Sequence, residues 1–116
     1  MNLQKVYAMP ISDVYPLYVQ KAERKGRTRE EVDQVICWLT GHTLDSLRQA
    51  VLDRVGLEAF FDQAPRMNPN ASMIKGVICG CRVEDIEEET MQKIRWMDKL
   101  VDELAKGRPM EKILRK

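Results

Sequence analysis

RMNPNASMIKGVICGCRVEDIE, residues 66–87, separates two halves of the chain that each carry helical periodicity. It opens polar and turn-prone at Arg66–Asn70 and becomes the most continuously apolar run of the protein at Met73–Ile78. It closes on an acidic edge. Two structures compete for its centre. One is a short helix capped by Asn70, carrying Ala71, Met73, Ile74, Val77 and Ile78, and ended by Gly80. The other is a strand over 73–79, because Ile and Val favour strands; Gly76 weakens both. No second convincing strand offers a partner, and a lone strand leaves its backbone groups unpaired. The helix is therefore the expectation. Met73–Ile78 would form a buried plug between the two halves, with Cys79 and Cys81 packed beside it.

On the N-terminal side, residues 1–11 show no helical period and are expected to lie extended over the core, with Pro10 setting the approach to the first helix. Ser12 or Asp13 suits an N-cap. Pro16 would fall in the first turn, where its missing N–H costs little. Val14, Leu17, Tyr18 and Ala22 then follow at helical spacing, and Gly26 supplies a left-handed end. This predicts a helix over 13–25. Thr28 and Glu31 are spaced as a capping box, and Val32, Val35, Ile36 and Leu39 make a stripe at i, i+3, i+4, i+7. A second helix over 29–40 ends at Gly41. Thr43 would cap a third, over 44–54, with Leu44, Leu47 and Val51 inward. LEAFFDQA, residues 57–64, reads as a short helix anchored by Leu57, Phe60 and Phe61 and stopped by Pro65.

On the C-terminal side, five acids lie between Glu84 and Glu89. Acids in front of a helix suit its positive end. The helix they introduce, over 88–106, is the longest, with Ile94, Met97, Val101 and Leu104 on one side beside Met91 and Ala105. Trp96 lies away from that seam. After Gly107, Pro109 starts a final short helix that docks through Met110, Ile113 and Leu114. The fold class is all-α, a compact single-domain bundle of short helices with one longer C-terminal helix.

Composition narrows the class. One domain is the prior for 116 residues. The apolar fraction of 44% and the charged fraction of 32% fit a globular protein with a charged exterior. A net charge of +1 argues against a strongly basic nucleic-acid binder. No apolar run approaches the roughly 20 residues of a membrane span, and Met1–Pro10 lacks the apolar core of a secretory signal. Three cysteines without framework spacing read as free thiols in a reducing cytoplasm.

Taken together, MPISDVYPLYVQKAERKGRT (9–28), WLTG (38–41), FFDQAPRMNPN (60–70), IKGVICGCRVEDIE (74–87) and IRWMDKLVDELAKGRPMEKILR (94–115) resemble a bacterial family known as domain of unknown function 2200. The resemblance spans nearly the whole chain. It implies a compact, mainly helical cytosolic protein and supplies no reaction, ligand or catalytic residue.

Candidate sites follow from residue chemistry. Arg66, Asn68 and Asn70 are the most site-like polar set, because Arg can hold a carboxylate or phosphate with parallel bonds. Ordinary turn chemistry is nevertheless the preferred reading, since Asn-Pro-Asn caps and turns a chain. His42, the single histidine, is a candidate base or ligand contact. Its position after the Gly41 helix end suits an imidazolium facing the last carbonyls, and that structural role is the preferred reading. Cys79-Gly80-Cys81 is a candidate soft-metal or redox pair. Zinc, however, needs four ligands, and Cys37 and His42 would have to complete an irregular set. The packing reading, with free thiols acting as small hydrophobes, is preferred, and no metal is assigned. No cofactor is assigned either, since Gly76 and Gly80 do not match a phosphate-loop spacing.

Lys21, Arg24, Lys25, Arg27 and Arg29 cluster at a helix junction that invites a nucleic-acid reading. The acids Glu30, Glu31 and Asp33 at the start of the next helix oppose phosphate. The leading expectation is a protein-interaction or regulatory module, working through the 66–72 loop and Trp96 on a partner protein or a second copy. The alternative is a small-ligand or anion-binding protein, or an enzyme, using Arg66, Asn68, Asn70 and His42.

Overall fold

A computed structural model describes residues 3–115. The order of elements is α1 (Leu3–Ala8), α2 (Ile11–Arg24), α3 (Arg29–Thr40), α4 (Leu44–Leu52), α5 (Leu57–Asp62), a 3₁₀ turn at Pro69–Met73, β1 (Val77–Ile78), β2 (Cys81–Arg82), a 3₁₀ turn at Val83–Asp85, α6 (Glu89–Ala105) and α7 (Met110–Ile113). The architecture is mainly helical, with one two-stranded ribbon. No helix among the described residues is long and apolar enough to cross a membrane.

The central helix is α6, which packs against both α2 and α3. Its buried seam is the expected one: Met91, Ile94, Met97, Val101, Leu104 and Ala105, joined by Leu100. The α3 stripe of Val32, Val35, Ile36 and Leu39 is fully buried. Its start is the expected capping box, with Thr28 Oγ1 accepting from the Glu31 N–H and the Glu31 carboxylate accepting from the Thr28 N–H at 3.0 Å. Thr43 caps α4 in the same way, with Ser46 answering. Leu57, Phe60 and Phe61 anchor α5. Ile113 and Leu114 are buried as the last helix docks.

Four local expectations are corrected. Residues 3–8 are helical, and only Met9 and Pro10 separate that helix from the next, with Pro10 extended. There Pro10 bridges Gly56, the Ile11 N–H donates to Val55 O at 2.7 Å, and Leu57 N–H donates to Met9 O at 2.9 Å. Residues 1 and 2 lie outside the described residues. The second helix begins at Ile11 with Pro10 as its N-cap, so neither Ser12 nor Asp13 caps it and Pro16 sits beyond the first turn. Leu17 and Leu44, expected inward, are 61% and 47% exposed, because each lies off the face its helix buries.

The fourth correction concerns the central run. Residues 74–79 are not a helix. Val77–Ile78 is a strand, and its partner is Cys81–Arg82, reached through a two-residue turn. The partner strand is so short that periodicity could not reveal it. Gly76 at φ +114, and Cys79 and Gly80 at φ +51 and +79, exclude a right-handed helix there. Only Ile74 of the supposed plug is fully buried; Met73 and Val77 are more than half exposed, and both cysteines are exposed.

Candidate functional site

The hairpin leans on α6 and closes one end of a groove. Lys99 Nζ donates to Val77 O at 3.3 Å, and Val83 N–H donates to Gly76 O at 2.9 Å. The Gly76 N–H is held by Glu84 Oε1 at 2.9 Å. The groove has a volume of about 390 Å³, within the range of small-ligand sites. Its apolar wall is built by Val6, Val14, Leu17, Leu57, Ile78 and Ile94, from four helices and the hairpin. The polar end carries Tyr18, Lys21, Cys79, Arg95 and Asp98.

Each polar group has a defined partner. Tyr18 donates its phenol to Asp98 Oδ1. Burial first, and then the Asp98 carboxylate, push the Tyr18 phenol well above its ordinary pKa, so it remains a protonated donor. Arg95 Nη1 donates to Asp98 Oδ2 at 2.8 Å and to Cys79 Sγ at 3.3 Å. Lys21 Nζ reaches Asp102 Oδ1 at 3.1 Å. Asp102 also faces Lys106 at 3.0 Å and Lys99 at 3.9 Å. Burial raises the Asp102 carboxyl, but hydrogen bonds from Lys106 and Lys21 outweigh it and hold the pKa below the ordinary value. Of these charged groups Lys21, Arg95 and Asp98 line the groove, with Arg95 paired to Asp98 and Lys21 to Asp102.

The residues singled out from the sequence occupy other places. Asn68 Oδ1 accepts from the Asn70 N–H at 2.9 Å, and its Nδ2 donates to Trp38 O at 3.3 Å. Asn70 Nδ2 donates to Arg115 O at 3.1 Å. Both amides therefore tie the 66–70 loop to the end of α3 and to the C-terminal segment. Arg66 bonds through its backbone N–H to Thr40 O at 3.1 Å, and its side chain is exposed. Trp96 is half-buried and packs against the core.

His42 is half-buried. Its ring stacks on Phe60 with centroids 4.8 Å apart, and its Nδ1 lies 2.9 Å from Ser46 Oγ. Nε2 is buried without a hydrogen-bond partner among the described residues. Burial lowers its pKa, and the neighbouring Phe60 backbone only partly opposes this. Burial thus works against an imidazolium at this helix end. Among the described residues, no group of three or more His, Cys, Asp or Glu side chains is gathered for a metal. At the basic junction, Arg27 grips Glu31 at 2.8 Å and Arg108 O at 2.9 Å, and Arg29 donates to Tyr15 at 3.0 Å. Arg24 and Lys25 are exposed.

Tyr18, Arg95 and Asp98 were not singled out from the sequence. The signal was faint: Arg95 and Asp98 stand at i, i+3 on one helix, an ordinary surface pairing. Nothing local says that Tyr18 meets them.

Among curated proteins, none matches the chain. The chain is similar to the crystal structure of the uncharacterized protein SP1917. The identity is 43% and the TM-score 0.91, over 98% of this chain and 93% of that one. The model of a family described as uncharacterized protein conserved in bacteria, DUF2200, matches residues 5–115. The chain belongs to that family.

Proposed function

We propose that the protein binds a small amphipathic acid, with an apolar body along the groove and an anionic head beside Arg95 and Lys21. One observation carries this reading. Leu17, 61% exposed, and the two cations Lys21 and Arg95 line the same 390 Å³ groove. Exposed apolar surface beside two lining cations and one lining carboxylate matches a ligand of that polarity. Three free thiols support a cytoplasmic setting.

Titration calorimetry with decanoate, decanol and acetate tests it. Decanoate is expected to bind, with decanol and acetate at least tenfold weaker. Leu17→Arg should abolish the heat while leaving the melting temperature near wild type. Decanoate binding that survives Leu17→Arg, or no decanoate binding, overturns the proposal.

A second reading is a protein partner on a smaller recess of about 240 Å³ between Arg29 and Arg48, lined by Tyr15, Leu47, Val51 and Leu52. Leu52, 76% exposed, favours it. An acidic amphipathic helix fits two arginines beside apolar side chains. Such a peptide should lose affinity on Leu52→Asp, and an unchanged affinity rejects this surface.

A further inference from the structure

Cys79 and Cys81 are both exposed free thiols at the tip of the hairpin. The turn between β1 and β2 consists of Cys79 and Gly80, both at positive φ. This is the signature of a type I′ turn, whose first central position is usually Asn, Asp or Gly. A cysteine there is held in a backbone region that L side chains rarely adopt. The base of the hairpin is clamped by the Lys99, Val83 and Glu84 contacts, and its tip is open. A helical-type conformation of either hand at Gly80 sets the flanking Cα atoms about 5.4 Å apart. That lies inside the span a disulfide bridges. The two thiols differ in one respect: Arg95 Nη1 donates to Cys79 Sγ at 3.3 Å.

We infer that Cys79 and Cys81 form a thiol–disulfide exchange couple for low-molecular-weight disulfides that carry carboxylates. Cys79 is the attacking thiol, because the Arg95 N–H meets negative charge on its sulfur. Cys79 Sγ attacks one sulfur of the substrate, forming a mixed disulfide. The other half of the substrate leaves as a thiolate and takes up the proton lost by Cys79. Cys81 Sγ, also losing its proton, then attacks Cys79 Sγ. The mixed disulfide breaks, the Cys79–Cys81 bond forms, and the second half leaves as a thiol. The substrate disulfide is reduced by two electrons and the dithiol is oxidised by two. The closed ring is small and exposed, the kind of disulfide that is readily reopened, so two equivalents of a small thiol reverse both steps. The anionic substrate suits Arg95 and Lys21. The inference goes beyond the groove reading and does not rest on it.

The reduced protein is incubated with glutathione disulfide, quenched by alkylation and read by intact mass and peptide mapping. Wild type should become lighter by two hydrogens, with Cys79 joined to Cys81. Cys81→Ser should stop at a stable glutathione adduct on Cys79. Cys79→Ser should form its adduct at least about tenfold more slowly. A persistent glutathione adduct on wild type without the internal disulfide overturns the inference, and so does a Cys79→Ser variant reacting as fast as Cys81→Ser. Both substituted positions are exposed, and circular dichroism confirms that each variant is folded before it is scored.

Discussion

Arg115 closes on Glu103 through two parallel bonds, Nη1 to Oε1 and Nη2 to Oε2, each 2.8 Å long. Glu103 is 5% exposed, and Arg108 adds a contact at 3.2 Å. The pair locks the end of the chain onto the central helix, while Arg115 O receives the Asn70 amide. Removing Arg115 leaves the buried Glu103 carboxylate only the more exposed Arg108 as a partner. Arg115→Met is therefore expected to cost about 3 kcal/mol, read from urea unfolding. A loss below about 0.5 kcal/mol would place this contact among ordinary surface pairs.

His42 predicts a pH dependence. Its folded pKa is depressed by burial, so the unfolded chain binds the proton more readily than the folded one. Stability is full above the ordinary value of 6.5 and declines as pH falls below it, towards the depressed folded value. His42→Phe, which keeps the stack on Phe60, should flatten melting temperature against pH in that window. An identical slope in the variant would assign the effect to other groups.

Gly41 ends α3 at φ +78, and a Cβ there would come within 2.8 Å of the Arg66 backbone N and O. The left-handed conformation alone costs another residue about 1–2 kcal/mol, and backbone atoms cannot swing aside. Gly41→Ala should therefore destabilise by more than that amount in chemical denaturation. A neutral result would mean that the 66–70 loop is not seated against α3.

The hairpin predicts an asymmetry within one apolar run. Ile74 is 0% exposed, whereas Ile78 is half-buried. Ile74→Ala is expected to cost about 2–5 kcal/mol. Ile78→Ala should cost less than half as much as Ile74→Ala. Equal losses at the two positions would restore the buried plug that the sequence suggested.

The helical frame was legible because its causes are local. The capping box of Thr28 and Glu31, the α3 stripe and the seam of α6 are each written within a single helix and its cap. The hairpin was not legible. Its partner strand is two residues long, and Cys79 occupies a turn position that composition assigns to Asn or Gly. The candidate site was less legible still. Tyr18 and Asp98 are 80 positions apart, and Lys21 and Asp102 are 81 apart.

By itself, then, the sequence determined that this is a mainly helical chain, where most of its helices begin and end, and which faces they bury. Periodicity and capping are nearest-neighbour effects, and a linear reading captures them. Only the tertiary structure decided that the thiols of Cys79 and Cys81 face solvent, that Asn68 and Asn70 are held within the chain, and that an apolar groove ends at Arg95 and Lys21. Those outcomes depend on which helices meet. Burial and charge proximity belong to the packed whole, and no single stretch of the chain encodes them.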